Sequence, residues 1–334
     1  KPASSTAWLT HEIVKDIIAA KILPPGALSL ICGSSAGLLD HLEPFDMVSF
    51  TGSAQTAKLI RSHSAITESS VRINIEADSL NSAWLMADVK ADDAIFDQFI
   101  KEVCREMTVK SGQKCTAIRR IFVPEHLFEQ VSTALSARLA KTVVGNPSNP
   151  SVRMGSLVSI EQKYSVLKGI QDLSAVAEIL FDANQSPFVD ANLESCCVGP
   201  VLFGIKNAEI ADAVKEVHEL EVFGPVATLI AYRDSAQAQE LIARGQGSLV
   251  VSLYGDQHES LVTATLSVAA MHGRVHVISS ETLSQTGHGN VMPQTIHGGP
   301  GRSGGGEELG GIRALYFYHR KVGVQAHPNL LNHL

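Results

Sequence analysis

The stretch from Met47 to Glu76, MVSFTGSAQTAKLIRSHSAITESSVRINIE, decides the fold. An apolar run, Met47 to Phe50, opens onto Thr51-Gly52-Ser53. A helix-like segment then runs to about Arg61, and Val71 to Ile75 forms a second buried run. Strand, glycine turn, helix and strand build a parallel sheet with helices on its faces, and such sheets place ligands at the carboxyl ends of their strands. Upstream, residues 7–21 carry Leu9, Ile13, Ile17 and Ile18 at helical spacing, with Ser5 or Thr6 as N-cap. Pro24-Pro25-Gly26 stops that helix, and Leu28 to Cys32 reads as a further strand. Downstream, Ile95, Phe99, Val103 and Met107 stand four apart on an amphipathic helix within residues 92–110. A strand from Ile118 to Val123 and a helix from about Pro124 to Lys141 follow. Glycine dominates residues 298–311, and the aromatic, β-branched tail Arg313 to Gln325 predicts a terminal strand able to pair with another subunit.

At 334 residues the chain exceeds the usual limit of one hydrophobic core, about 250 to 300 residues, so two domains or one large α/β unit are expected. Hydrophobic residues at 45% and charged residues at 18% exclude disorder and a coiled coil. A net charge of −7 argues against nucleic acid and membrane surfaces as partners. Five cysteines, odd in number and unevenly spaced, fit a reducing, cytoplasmic compartment better than a disulfide framework.

Several features invite chemistry. Gly33-Ser34-Ser35-Ala36-Gly37 has the G-x-S-x-G form of a hydrolase nucleophile elbow, with Ser35 as its nucleophile, but small-residue turns of this kind are common. Gly299-Pro300-Gly301-Arg302-Ser303-Gly304 matches G-x-G-x-x-G only literally, because a βαβ unit does not follow it, and reads as a loop. Thirteen histidines show no metal-ligand spacing, so His288 and His297 read as core or surface residues and no metal is expected. Cys115, in Ser111-Gly112-Gln113-Lys114-Cys115-Thr116, differs from the apolar-flanked Cys32 and Cys104. It follows a helix in a loop bearing Lys110, Lys114, Arg119 and Arg120, and cations favour a thiolate. Glu76 ends its strand where a carboxylate faces the ligand side of the sheet.

With these residues in place, the chain resembles the aldehyde dehydrogenase superfamily, which pairs a strand-end Glu with a downstream G-Q-x-C. Lys1-Pro2-Ala3, Phe50-Thr51-Gly52-Ser53, Glu221-Val222-Phe223-Gly224-Pro225 and the glycine-rich ending follow in the family's order. The wording EADSLN, SGQKCTAIRR and HGGPGRSGGGEELGG narrows the resemblance to members acting on semialdehydes that carry a CoA thioester. The resemblance implies a Rossmann-type nucleotide-binding part at 1–78, an α/β catalytic domain at 79–299 and an oligomerisation tail at 300–334. It makes Cys115 the nucleophile and Glu76 the general base that hydrolyses the thioester. Lys1, Ser4, Gly52, Ser53, Glu221 and Phe223 become cofactor contacts. Ser4 stands where members preferring NAD commonly carry an acid three residues after that Lys, which implies NADP. The expected partners are a CoA-linked aldehyde and a second copy in a homodimer. The family's first strands and its Asn-Phe-Pro loop precede Lys1, so the chain is read as part of a longer protein. The competing readings are a related aldehyde dehydrogenase of the kind that acts in phenylacetate ring cleavage, and a non-catalytic scaffold or fragment of the same fold.

Overall fold

The computed structural model describes residues 4–33, 35, 37–192, 194–283, 288, 297–307, 312 and 314–334. The opening part holds α1 (Ser4–Ala19), β1 (Met47–Thr51), α2 (Ala54–Arg61), α3 (Ser64–Ser69) and β2 (Arg72–Glu76). β1 and β2 pair in parallel, Met47 opposite Arg72 and Thr51 opposite Glu76, so the crossover read from the sequence is present. Its core is small: Ile60, Ile66 and Val71, with Val48, Phe50 and Ile73 against them.

The larger part follows with β3 (Ser82–Leu85), α4 (Ala94–Thr108), β4 (Arg120–Pro124), α5 (Phe128–Leu139), α6 (Ile160–Ser174), β5 (Glu178–Asp182) and β6 (Val201–Ile205). It continues through α7 (Ala208–Ala211), α8 (Glu216–Glu219), β7 (Val226–Tyr232), α9 (Ser235–Ala243), β8 (Ser248–Tyr254), α10 (His258–Ala269) and β9 (His272–Ile278). Seven strands form one sheet in the order β5-β6-β7-β4-β3-β8-β9. All neighbours run parallel except β5 against β6. β3, β4, β7 and β8 are mostly apolar and buried along their whole length, as strands covered on both faces must be. Two cores result. One places Phe99, Val103 and Met107 of α4 and Leu135 of α5 on one face. The other sets Trp84, Phe122 and Phe203 against Val166, Leu241 and Val268 on the opposite face.

Three sequence expectations fail. Leu28 to Cys32 is irregular, with Leu28, Leu30, Ile31 and Cys32 exposed, because an apolar run becomes a strand only beside a strand to pair with. That removes the strand an elbow at Ser35 requires, and Ser35 lies exposed after it. The tail is helical, α11 (Ala314–Tyr318) and α12 (Pro328–Leu331), and does not form the terminal strand expected for subunit pairing. Its aromatics find cations instead, Arg72 over Phe317 and Lys321 over Tyr316. At the other end, Ser5 and Thr6 lie inside α1, which begins at Ser4. No helix among the described residues is long and apolar enough to cross a membrane.

Candidate active site

Glu76 ends β2 and is buried; its backbone carbonyl accepts from Gly52 N–H, and Ala77 N–H donates to Ser303. The carboxylate therefore stands at the carboxyl end of the small sheet. Cys115 arrives from the opposite side, since it precedes β4 and lies at the amino end of the seven-stranded sheet. The site is the seam between the two sheets. Across it, Cys115 Sγ, Glu76 Oε and His297 Nε2 lie within 4.8 Å of one another. Sγ is 3.5 Å from Nε2, and Nε2 is 3.5 Å from Glu76 Oε1.

The loop that delivers Cys115 is bent by three successive left-handed residues, Lys110 (φ 53°), Ser111 (φ 54°) and Gly112 (φ 69°). Such a run costs backbone energy and persists only where its surroundings hold it. They do: Ser111 Oγ donates to Gly155, Gln113 Oε1 accepts from Val158 N–H, and a side chain on Gly112 would meet Gly224 O at 2.2 Å. Asn81, fully buried immediately before β3, donates to the carbonyls of Cys115 and Ala117 and accepts from Val250 N–H. His288 bridges the carbonyl of Thr116 at 2.8 Å and Ser252 Oγ at 2.6 Å. Burial holds its imidazolium form well below the usual range, so the ring is neutral, donating at Nε2 and accepting at Nδ1.

The cations expected to activate Cys115 are mostly committed elsewhere. Lys114 pairs with buried Glu106 at 3.0 Å, and Arg120 turns into the core toward Leu80, Leu241 and His218. Arg119 donates to the carbonyls of Gly112 and Gly224 and acts on Cys115 through space, as does Arg274 from β9. Nearest to sulfur is His297. Sequence reasoning missed it, because 182 residues separate it from Cys115 and it looked like a loop histidine. Asn81 was missed too; its only signal is a polar residue opening the apolar strand SAWL. Cys104 behaves as an inert buried cysteine, its thiol pushed by burial up to about 12, whereas Cys32 is exposed.

Gly52, Ser53, Glu221 and Phe223 gather near the same seam. Gly52 and Ser53 form the turn from β1 into α2, where Ser53 caps the helix by accepting from Thr56 N–H. Ala54 N–H donates to Asp78. The Glu221 side chain is buried; Ser79 N–H donates to it, and Arg119 lies 3.8 Å away. Burial raises its carboxyl to about 7 despite that arginine. Phe223 lies under the Arg119 guanidinium, 5.5 Å from ring centre to cation. Lys1 lies outside the described residues, and Ser4 is the first residue of α1.

A family model described as "Aldehyde dehydrogenase family" matches residues 1–322. The chain belongs to the aldehyde dehydrogenase family. It is 46% identical over 304 residues to a 3,4-dehydroadipyl-CoA semialdehyde dehydrogenase of Aromatoleum evansii, covering 90% of this chain and 58% of that one. To human aldehyde dehydrogenase 1A1 it is 27% identical, over 93% of this chain and 57% of the relative. The chain thus spans somewhat over half the length of these relatives. Among solved structures, a betaine aldehyde dehydrogenase double mutant of Staphylococcus aureus in complex with NAD+ superposes with a TM-score of 0.76 at 22% identity, covering 92% of this chain and 59% of that one. That likeness carries the fold.

Proposed function

We propose that this chain carries the catalytic centre of an NADP-dependent dehydrogenase that oxidises a semialdehyde bearing a CoA thioester to the carboxylic acid. The substrate is of the 3,4-dehydroadipyl-CoA semialdehyde class. The observation that carries this reading is the meeting of Cys115 and Glu76 across the seam, 39 residues apart in sequence and within 4.8 Å in space. In it, residues 1–78 belong to the nucleotide-binding part, 79–299 to the catalytic domain and 300–334 to the closing loop and tail.

Cys115, as thiolate, adds to the aldehyde carbon to form a thiohemiacetal, and its backbone N–H donates to the oxygen on which charge develops. The nicotinamide cofactor, when bound, supplies the hydride acceptor. Glu76 then takes a proton from the water that attacks the resulting thioester, releasing the acid and freeing Cys115. A base at this position favours hydrolysis over transfer to free CoA, so the CoA belongs to the far end of the substrate.

The residues present fit a dinucleotide. Gly52 and Ser53 open a helix N-terminus, which suits a pyrophosphate. The buried Glu221 side chain is an acceptor suited to a ribose hydroxyl, with Phe223 on the same Arg119 guanidinium. Lys1 and Ser4 are assigned to the adenosine ribose from the family resemblance alone, in which a hydroxyl residue at position 4, in place of an acid, leaves room for a 2′-phosphate. The test is single-turnover oxidation of the semialdehyde with NADP+ and with NAD+. Glu76→Gln should release about one equivalent of reduced cofactor per site and then stall with the acyl group on Cys115, and Cys115→Ala should release none. Sustained turnover by Glu76→Gln, or a clear preference for NAD+, overturns the corresponding part.

A further inference from the structure

His297 stands between the two groups that the chemistry above needs in their anionic forms. A thiolate and a carboxylate within 4.8 Å of each other, the first half-buried and the second buried, repel strongly, and repulsion of this kind protonates one partner. A cation lying between them removes the conflict. His297 Nε2 has that position, 3.5 Å from each.

The position is built into the backbone. Immediately after His297, Gly298 pairs with Glu307 in a bridge, and its carbonyl lies where a side chain on Gly273 of β9 would be, at 1.6 Å. Gly299 abuts the carbonyl of Ser248 in the same way, and Gly304 that of Ile75. Gly306 N–H donates to Ile75, and Ala77 N–H to Ser303. The segment that begins at His297 is therefore clamped to both sheets, and on β2 its clamps flank Glu76 itself.

We propose that His297 is a third acid–base group of this centre: Nε2 takes the Cys115 thiol proton, and the resulting imidazolium holds the Cys115 thiolate and the Glu76 carboxylate ionised together. The proposal rests on the roles given above to Cys115 and Glu76 and adds a residue to them. In the step the S–H bond breaks, its electron pair stays on sulfur and an N–H bond forms. No electrons leave the site. Burial disfavours the imidazolium, but hydrogen bonds to Cys115 and Glu76 outweigh it and hold His297 up at about 10. Other charged groups around the pair are Arg119 and Arg274, which act on Cys115, the Lys114–Glu106 pair below the loop, and Asp78, which faces Arg302 at 3.5 Å. Neutral His288 lies behind Thr116, with His276 next to it across Ser252.

The test needs neither aldehyde nor nucleotide. Alkylation of Cys115 by iodoacetamide is followed by peptide mass spectrometry on the full chain from pH 5.5 to 9.5, with Cys104 as internal reference. The native rate should already be close to its plateau at pH 6.5. His297→Gln should be at least about tenfold slower there and recover above pH 9, as an ordinary thiol with a pKa near 8.5 does. Superimposable profiles overturn the proposal. A second measurement keeps the native histidine: by NMR its ring should remain protonated beyond pH 8, and should titrate at lower pH in Cys115→Ser and in Glu76→Gln. Titration near 6.5 in the native chain overturns the proposal even if His297→Gln fails to fold. Alkylation as expected from a chain that oxidises no aldehyde supports the assignment of His297 and overturns only the dehydrogenase reading.

Discussion

Glu221 shows how one buried side chain links the cofactor site to stability. Its carboxyl is raised to about 7, chiefly by burial, against an ordinary value of 4.5. Between those two values the folded chain binds more protons at this site than the unfolded chain, so its contribution to stability falls as pH rises through the window. From pH 5 to pH 8 the loss is roughly 2 kcal/mol. Glu221→Gln removes the titration, so relative to the native chain it should gain about that much on going from pH 5 to pH 8. Urea unfolding of both proteins at the two pH values checks this, and parallel pH dependences would refute it. At this scale the sequence was legible where a residue type and its neighbours form a local pattern, as for Glu76 at a strand end and Cys115 in its SGQKC loop. His297 and Asn81 act through contacts between segments distant in sequence, which local spacing does not encode.

At the scale of elements, the turn from α4 to Cys115 sets the position of the nucleophile, and Gly112 is its wedge. A methyl group there would meet Gly224 O at 2.2 Å and Pro225 N at 2.5 Å, on a residue whose φ of 69° is already unfavourable for a side chain. Gly26 is the natural control, with a similar φ of 83° and nothing within 4 Å. Gly26→Ala should cost about 1 kcal/mol, the conformational term alone, and Gly112→Ala about 3 kcal/mol or more. Gly112→Ala should also slow Cys115 alkylation, because the loop must shift away from the 224–225 backbone. Equal melting temperatures for the two variants would show that the loop yields without cost. The sequence announced a loop here through its Gly and polar residues. The left-handed run and the wedge depend on Gly224, which lies 112 positions away in the chain. The tail fails for a related reason: β-branched and aromatic residues favour a strand only beside a sheet edge, and α11 forms where that pairing is missing.

Over the whole molecule, alternation of strands and helices was legible in the local pattern, whereas a division near residue 78 came from the family resemblance and not from periodicity. β3 starts six residues after the end of β2 yet pairs with β4 and β8, a choice made by the larger core and invisible in local periodicity. The two parts are unequal. The apolar cluster beneath β1 and β2 has Ile60, Ile66 and Val71 as its buried members, whereas β3, β4, β7 and β8 are enclosed between two extensive clusters. Local opening follows buried apolar contact, so the small sheet should open first. Amide exchange in β1 should be at least about tenfold faster than in β4 and β7, which corresponds to about 1.4 kcal/mol of local stability. β2 should lie between them, because Gly306 and Ser303 tie its end to the larger part. If Gly52 and Ser53 receive a dinucleotide, saturating NADP+ should slow exchange at residues 51–57 and leave β7 unchanged, since a ligand stabilises the segment it contacts in proportion to its occupancy. Hydrogen-exchange mass spectrometry with and without NADP+ reads both effects. Equal protection of β1 and β7 would sink the first, and protection gained in β7 alone would move the nucleotide away from α2.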